Sequence, residues 1–267
     1  PRRRVAEHDT AARPPPRKRF GQNFLHQPQV IARIIAAVAP QPDDALLEIG
    51  PGLGSLTLPL LQASGRLVAV ELDRDLLAPL QAKCAGLGAL TLYQADAAQF
   101  DLRALASHQP WRVVGNLPYN AATAIIFNCL AQQDAVRDLH FMVQKEVAQR
   151  LVAHSGGDYG RLSVMVQAVA RVDLLFHVAP GAFFPAPKVD SSIVRLTPLA
   201  QPWVPSDQLP RFGQLVSAAF AQRRKTLRNA LAGHCTPEQI RAAGLDPGVR
   251  AEQVPLAAYV ALLRVCG

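Results

Sequence analysis

The tetrapeptide Asn116-Leu117-Pro118-Tyr119 follows the apolar run Trp111 to Gly115 and combines residue types suited to one chemistry. The Asn116 amide oxygen can accept a hydrogen bond from an exocyclic amine. Pro118 fixes its own φ and biases Leu117 toward an extended shape. Tyr119 offers a flat face on which a base can stack. Together they could hold the amino group of a planar heterocycle at the tip of a strand. The same residue types also close strands as an ordinary turn. The choice between the two rests on whether a cofactor site lies nearby.

Leu46 to Ser55 reads as a strand running through Gly50-Pro51-Gly52-Leu53-Gly54 into a helix. A dinucleotide fingerprint needs GxGxxG, with pyrophosphate on the helix N-terminus. Here the spacing is GxGxG with Ser55 after it, so a nucleoside without phosphates fits better than NAD. Glu71 ends the run Val68-Ala69-Val70, where a carboxylate can accept from both ribose hydroxyls. Asp96 follows Leu92 to Ala95, where it could accept from an adenine amino group. Each has a plain alternative: a solvated strand end for Glu71 and a helix N-cap for Asp96. Both stand at successive strand ends after the glycine turn, and that pairing favours a ligand.

The elements that must position these residues alternate. Strand patterns fall at 45–49, 67–70, 90–93, 113–114 and 139–143, with helical patterns at 29–39, 56–63, 74–85, 123–130 and 145–153. A helix over 162–167 and strands over 169–178 and 192–197 follow. Alternation of this kind predicts an α/β fold with a parallel, doubly wound, Rossmann-like sheet, whose ligands sit outside the carboxyl ends of the strands. After Pro198 the texture changes to helical spacing at Phe212, Leu215, Val216, Ala219 and Phe220, then a capping box at Thr236-Pro237-Glu238-Gln239. A last helix opens at Pro255. The expected organisation is a basic mobile arm over 1–16, a catalytic domain over 17–199 and a small all-helical C-terminal domain over 200–267.

The 267 residues suffice for a full core, with 49% hydrophobic and 18% charged residues. No apolar stretch approaches the ~20 residues that cross a bilayer, and no apolar segment follows the basic N-terminus as in a signal peptide. No membrane partner is expected. Cys84, Cys129, Cys235 and Cys266 are scattered without a CxxC pair, which predicts reduced thiols in a cytoplasmic protein, neither a disulfide framework nor a metal site. The net charge is +8, clustered at Arg2 to Arg19 and at Arg223, Arg224, Lys225 and Arg228. Such runs are often solvated faces. Two of them in so basic a chain favour a nucleic-acid partner.

The glycine turn, Glu71, Asp96 and Asn116 to Tyr119 resemble the class I S-adenosylmethionine-dependent methyltransferases, and among these the adenine-N6 enzymes. With Lys18 to Leu25, Gln144 to Ala148, Phe183 to Ser191 and Arg223 to Arg228, the chain resembles the rRNA adenine dimethyltransferase family from about Pro16 onward. Arg223 to Leu227 and Arg250 to Gln253 resemble its small-subunit branch. The resemblance implies a pocket for S-adenosylmethionine, as co-substrate, at Asn23, Leu25, Gly50, Gly52, Glu71, Asp96 and Asn116. It implies that the Asn116 oxygen and the Leu117 carbonyl accept from adenine N6, with the base stacked between Tyr119 and Phe183; Phe184 is a rival for that face. Arg223, Arg224, Lys225 and Arg228 would grip phosphates from a basic helix. The implied partner is small-subunit rRNA in the assembling ribosomal particle (the pre-30S particle), met by a monomer. The substrate would be a pair of adjacent adenosines near the 3′ end of that rRNA, each dimethylated.

Three other functions compete with this one. A large-subunit rRNA adenine methylase of the antibiotic-resistance type would share the catalytic motifs. A non-catalytic ribosome-assembly factor would share the RNA-binding surface, and intact Asn116, Tyr119, Glu71 and Asp96 argue against it. An NAD-dependent dehydrogenase is disfavoured by the glycine spacing.

Overall fold

The computed structural model describes residues 22–222 and 224–266. The basic arm over 1–16, the segment Lys18 to Gly21 and Arg223 lie outside the described residues. In chain order the first half comprises β1 (Phe24–Leu25), α1 (Pro28–Val38), β2 (Leu46–Ile49), α2 (Thr57–Ser64), β3 (Arg66–Glu71), α3 (Arg74–Lys83), β4 (Ala89–Gln94), β5 (Trp111–Asn116) and α4 (Ala122–Ala131). Then come β6 (Val136–Gln144), α5 (Lys145–Val152), α6 (Arg161–Gln167), β7 (Ala170–Val178), β8 (Phe183–Phe184) and β9 (Ser191–Pro198). The C-terminal helices are α7 (Leu209–Phe220), α8 (Leu227–Ala230), α9 (Pro237–Ala242) and α10 (Leu256–Val265).

The main sheet has seven strands in the order β4-β3-β2-β5-β6-β9-β7. The five strands from β4 to β6 pair in parallel, as the alternation predicts. The parallel expectation fails for the last two: β9 pairs antiparallel with both β6 and β7. No helix long enough for a crossover separates β7 from β9, only the short β8 segment, so the chain turns back on itself. Chain order reverses between β2 and β5, where Ile49 faces Gly115 in register. That is the switch point at which an open α/β sheet leaves a crevice.

Alternating side chains on the central strands feed two apolar layers. Leu47, Ile49, Val113, Leu139, Phe141 and Val194 face one layer, and Leu46, Leu67, Val114, Met142 and Ile193 face the other with α1, α2 and α3. The first layer runs without a break into Phe212, Val216, Ile240, Tyr259 and Leu262 of the C-terminal helices. The change of texture after Pro198 thus marks the end of β9, while the helices beyond it share the core of the sheet.

A buried ion network ties the lower edge together. Arg112 on β5 donates to Asp44 at 2.7 Å and to Asp138 on β6 at 3.0 Å, and also to the Val38 carbonyl ending α1 at 2.7 Å. The capping box at Thr236 forms as expected, with Gln239 returning a bond to the Thr236 amide. The expectation of four reduced thiols is corrected: Cys235 and Cys266 form a disulfide, with Cα atoms 5.1 Å apart, while Cys84 and Cys129 are free and buried. Cys235 lies just before α9 and Cys266 just after α10. Packing of these two helices, fastened by Gln239 Nε2 to the Val265 carbonyl at 2.9 Å, joins cysteines 31 positions apart. Among the described residues no helix is long and apolar enough to cross a membrane.

Candidate active site

The carboxyl ends of β2, β3, β4 and β5 surround an open cavity, with about 780 Å³ of empty space when its solvent-filled mouth is included. It is lined by Asn23, Gly50, Gly52, Glu71, Asp96 and Asn116 to Tyr119 among others. Residues read separately from successive strand ends therefore meet in one place.

The glycine turn is built for close approach. Gly50, Gly52 and Gly54 all have positive φ, at 67°, 54° and 85°, which other residues adopt only with strain. A Cβ on Gly52 would also stand 3.3 Å from the Phe24 ring. Gly115 is demanded by packing instead, since a Cβ there would lie 2.7 Å from the Ile49 carbonyl of the neighbouring strand.

Glu71 ends β3 and is buried. Its two carboxylate oxygens accept from the Gly52 amide at 3.1 Å and the Asp73 amide at 2.9 Å, which aims the group into the cavity. Burial pushes its carboxyl up from the ordinary value, and these amide bonds pull it back down. A carboxylate has lone pairs beyond those two and can take ribose hydroxyls as well. Asp96 accepts from the Ala98 amide at 2.9 Å through one oxygen, so the capping alternative is realised as a turn while the residue still lines the cavity. Beneath the turn, burial raises the Glu48 carboxyl to about 8.

Asn116 is the last residue of β5, and its Nδ2 donates to the Asn23 carbonyl at 3.0 Å. Leu117 is buried, and its amide donates to the Met142 carbonyl at 3.1 Å. Tyr119 is half-buried, with its hydroxyl 2.8 Å from that of Ser191. Burial raises the Tyr119 phenol. Ser191, the last residue of the Phe183 to Ser191 motif, lies 72 positions away, at the register point where β9 meets Gln144 of β6.

The two phenylalanines differ in exposure. Phe183 is 3% exposed and packs with Leu25 and Val178 in the core layer, so it presents no face to the cavity. Strands β1 and β8 pair antiparallel with Leu25 opposite Phe183 and Phe24 opposite Phe184. Residues directly opposite point to the same side of the ladder. Leu25 and Phe183 therefore turn inward, whereas Phe24, which lines the cavity, and Phe184, 50% exposed, turn outward. Leu25, expected at the cofactor, is buried and does not line the cavity; its carbonyl accepts from Ser55 Oγ.

Arg224, Lys225 and Arg228 are exposed. The expected basic helix is corrected: Thr226 is the N-cap of the short α8, so only Arg228 is helical, while Arg224 and Lys225 lie in the turn after α7. Among the described residues no cluster of three or more His, Cys, Asp or Glu could hold a metal. Phe24, Ser55 and Ser191 lie within motifs of the sequence, but reading by motif gave none of them a role of its own; Leu72, the neighbour of Glu71, was missed.

A glycine turn, a buried carboxylate and an amide at the switch point define a Rossmann-like methyltransferase. The chain belongs to the ribosomal RNA adenine dimethylase family, whose model matches residues 15–265. A relative from Methylococcus capsulatus named ribosomal RNA small subunit methyltransferase A is 53% identical over 252 residues, covering 93% of this chain and 97% of its own. One of the same name from Pseudomonas aeruginosa is 52% identical over 248 residues, covering 92% of each. Among solved structures, the 23S rRNA methyltransferase ErmE superposes with a TM-score of 0.70 at 28% identity, over 91% of this chain and 99% of its own. A dimethyladenosine transferase from Plasmodium falciparum gives a TM-score of 0.74 at 23% identity over 90% and 95%, a likeness of fold.

Proposed function

We propose that this chain transfers methyl groups from S-adenosylmethionine to N6 of two adjacent adenosines near the 3′ end of small-subunit rRNA, giving N6,N6-dimethyladenosine. The observation that carries the reading is the meeting of Glu71, Asp96 and Asn116 to Tyr119 around one cavity at the switch point. The residues fit the co-substrate. Glu71 would take the ribose, Asp96 the adenine amine, and the glycine turn with Asn23 and Phe24 the remainder. Bound there, S-adenosylmethionine supplies an activated methyl on a sulfonium.

The chain's own contribution is positioning. Adenine N6 is a poor nucleophile because its lone pair is delocalised into the ring. Acceptors at Asn116 Oδ1 and the Leu117 carbonyl favour a tetrahedral nitrogen with that lone pair free to attack. Tyr119 stacks the base, flipped from its strand, and the exposed ring of Phe184 is the one available for its other face. Such stacking contributes ~1–3 kcal/mol per base. Arg224, Lys225 and Arg228 grip phosphates without reading sequence.

Support for the small subunit over the large comes from identity: relatives named for the small subunit reach 53% and 52%, whereas ErmE stands at 28%. The partner is the assembling small-subunit particle, met in the cytoplasm by a monomer. Tritium transfer from S-adenosylmethionine to undermethylated small subunits, followed by nucleoside analysis, tests the reading. Dimethyladenosine is expected in small-subunit RNA, and label confined to large-subunit RNA would refute it. Asn116→Ala should lower turnover about 10²–10³-fold, the scale of losing one transition-state hydrogen bond, with RNA binding retained.

A further inference from the structure

The amide of Asn116 is set by a segment far from it in sequence. Its Nδ2 donates to the carbonyl of Asn23, 93 positions earlier. A carbonyl oxygen only accepts, so the amide nitrogen must face Asn23 and Oδ1 must face away. Among the described residues no group donates to that Oδ1. The opposite flip would aim an NH2 at the adenine amine, donor against donor.

The segment carrying Asn23 is itself fastened to the glycine turn. Ser55 Oγ donates to the Leu25 carbonyl, and Phe24 packs its ring over Gly52. From behind, the His26 amide donates to the Ala182 carbonyl at 2.9 Å. On the other side of the turn, Lys83 Nζ donates to the Leu53 carbonyl at 2.8 Å. Gln22, Asn23 and Phe24 also line the cavity. One short segment therefore touches both the proposed cofactor space and the proposed acceptor of the target amine.

We propose that Ser55 is a positioning residue: by docking residues 22–25 on the glycine turn it fixes the flip of the Asn116 amide, so that acceptance of the adenine amine depends on the segment being seated. The inference rests on the methyltransferase reading for its consequence and on the two hydrogen bonds for its geometry. With the segment seated, Oδ1 alone is presented to the base. With it loosened, the amide can rotate and half of its orientations repel the substrate. Closure over the co-substrate and recognition of the base are then a single event.

The experiment uses the full chain with Ser55→Ala and Ser55→Thr, the second retaining a hydroxyl. A readout independent of turnover is the side-chain amide pair of Asn116 in nitrogen-15 NMR, assigned by its loss in Asn116→Ala. In Ser55→Ala that pair should shift and broaden, and in Ser55→Thr it should return. In methyl transfer at saturating S-adenosylmethionine, Ser55→Ala should lower kcat about tenfold with RNA affinity unchanged, Ser55→Thr should restore it, and Ser55→Ala should add no further loss in an Asn116→Ala background. An unmoved amide pair overturns the proposal, as does a Ser55→Ala defect confined to the KM for S-adenosylmethionine. Failure of the wild-type chain to label adenine N6 would instead remove the methyltransferase reading, and the amide resonance would still decide whether Ser55 sets the flip.

Discussion

Replacing Glu48 by Gln should flatten the pH dependence of stability. Glu48 sits mid-β2 on the face covered by α1, α2 and α3, and it is 2% exposed. Burial raises its carboxyl from 4.5 to about 8; the nearby Thr57 hydroxyl pulls it down and the negative Glu71 pushes it up. Below pH 4.5 the carboxyl is protonated in both folded and unfolded chains and costs nothing. Between 4.5 and about 8 the unfolded chain has released this proton and the folded chain retains it. The folded state binds more protons, so its stability falls as pH rises, by about 1.4 kcal/mol per pH unit. Above about 8 both states are ionised and the loss is complete, at about 5 kcal/mol. The amide of Gln keeps the shape and does not titrate. Urea unfolding of both proteins from about pH 5.5 to 7.5 should show the variant gaining about 2–3 kcal/mol on the wild type, a midpoint difference of roughly 1 M. Taking the difference cancels all other titrations common to both. Parallel stability curves would refute a buried, protonated Glu48.

Three further outcomes follow from the geometry. Gly115→Ala should cost about 1–3 kcal/mol in urea unfolding and also abolish turnover, since the added methyl meets the Ile49 carbonyl at 2.7 Å and must part β5 from β2 beside the site. Arg112→Ala should cost about 3–5 kcal/mol by the same measurement, because it removes the buried cation that Asp44 and Asp138 share and leaves only Arg137 on Asp44. Tyr119→Phe keeps the ring and loses only the bond to Ser191, so it should lower kcat far less than Tyr119→Ala, which forfeits the ~1–3 kcal/mol of base stacking.

What could be read in advance depended on whether a property was local. Asn116, Glu71 and Asp96 were legible because Asn116 and Glu71 end strands and Asp96 lies two residues past one, and parallel alternation puts such ends on one side of the sheet. The antiparallel return of β9 was not, since strand direction depends on the length of a connection as much as on the strand itself. Which of Phe183 and Phe184 is exposed was not legible for a sharper reason. Neighbouring residues on a strand point oppositely, and only the pairing of β1 with β8 decides which of Phe183 and Phe184 faces out. The Cys235–Cys266 bridge needed the packing of two helices that no spacing rule encodes.

The tetrapeptide at the tip of β5 is fixed by three elements that share no sequence neighbourhood. Asn116 is bonded to the segment before α1, the Leu117 amide to β6, and the Tyr119 hydroxyl to Ser191 opening β9. Each anchor restrains a different degree of freedom: the flip of an amide, the height of a backbone turn, the tilt of a ring. An uncharged amine whose nucleophilicity must be raised by hydrogen-bond geometry alone gives the protein no strong base to compensate for looseness. A displacement near 1 Å can cost ~10²-fold in rate. That sensitivity accounts for spending three separate parts of the fold on four residues, and it locates the most damaging substitutions in the anchors as well as in the residues proposed to touch the base.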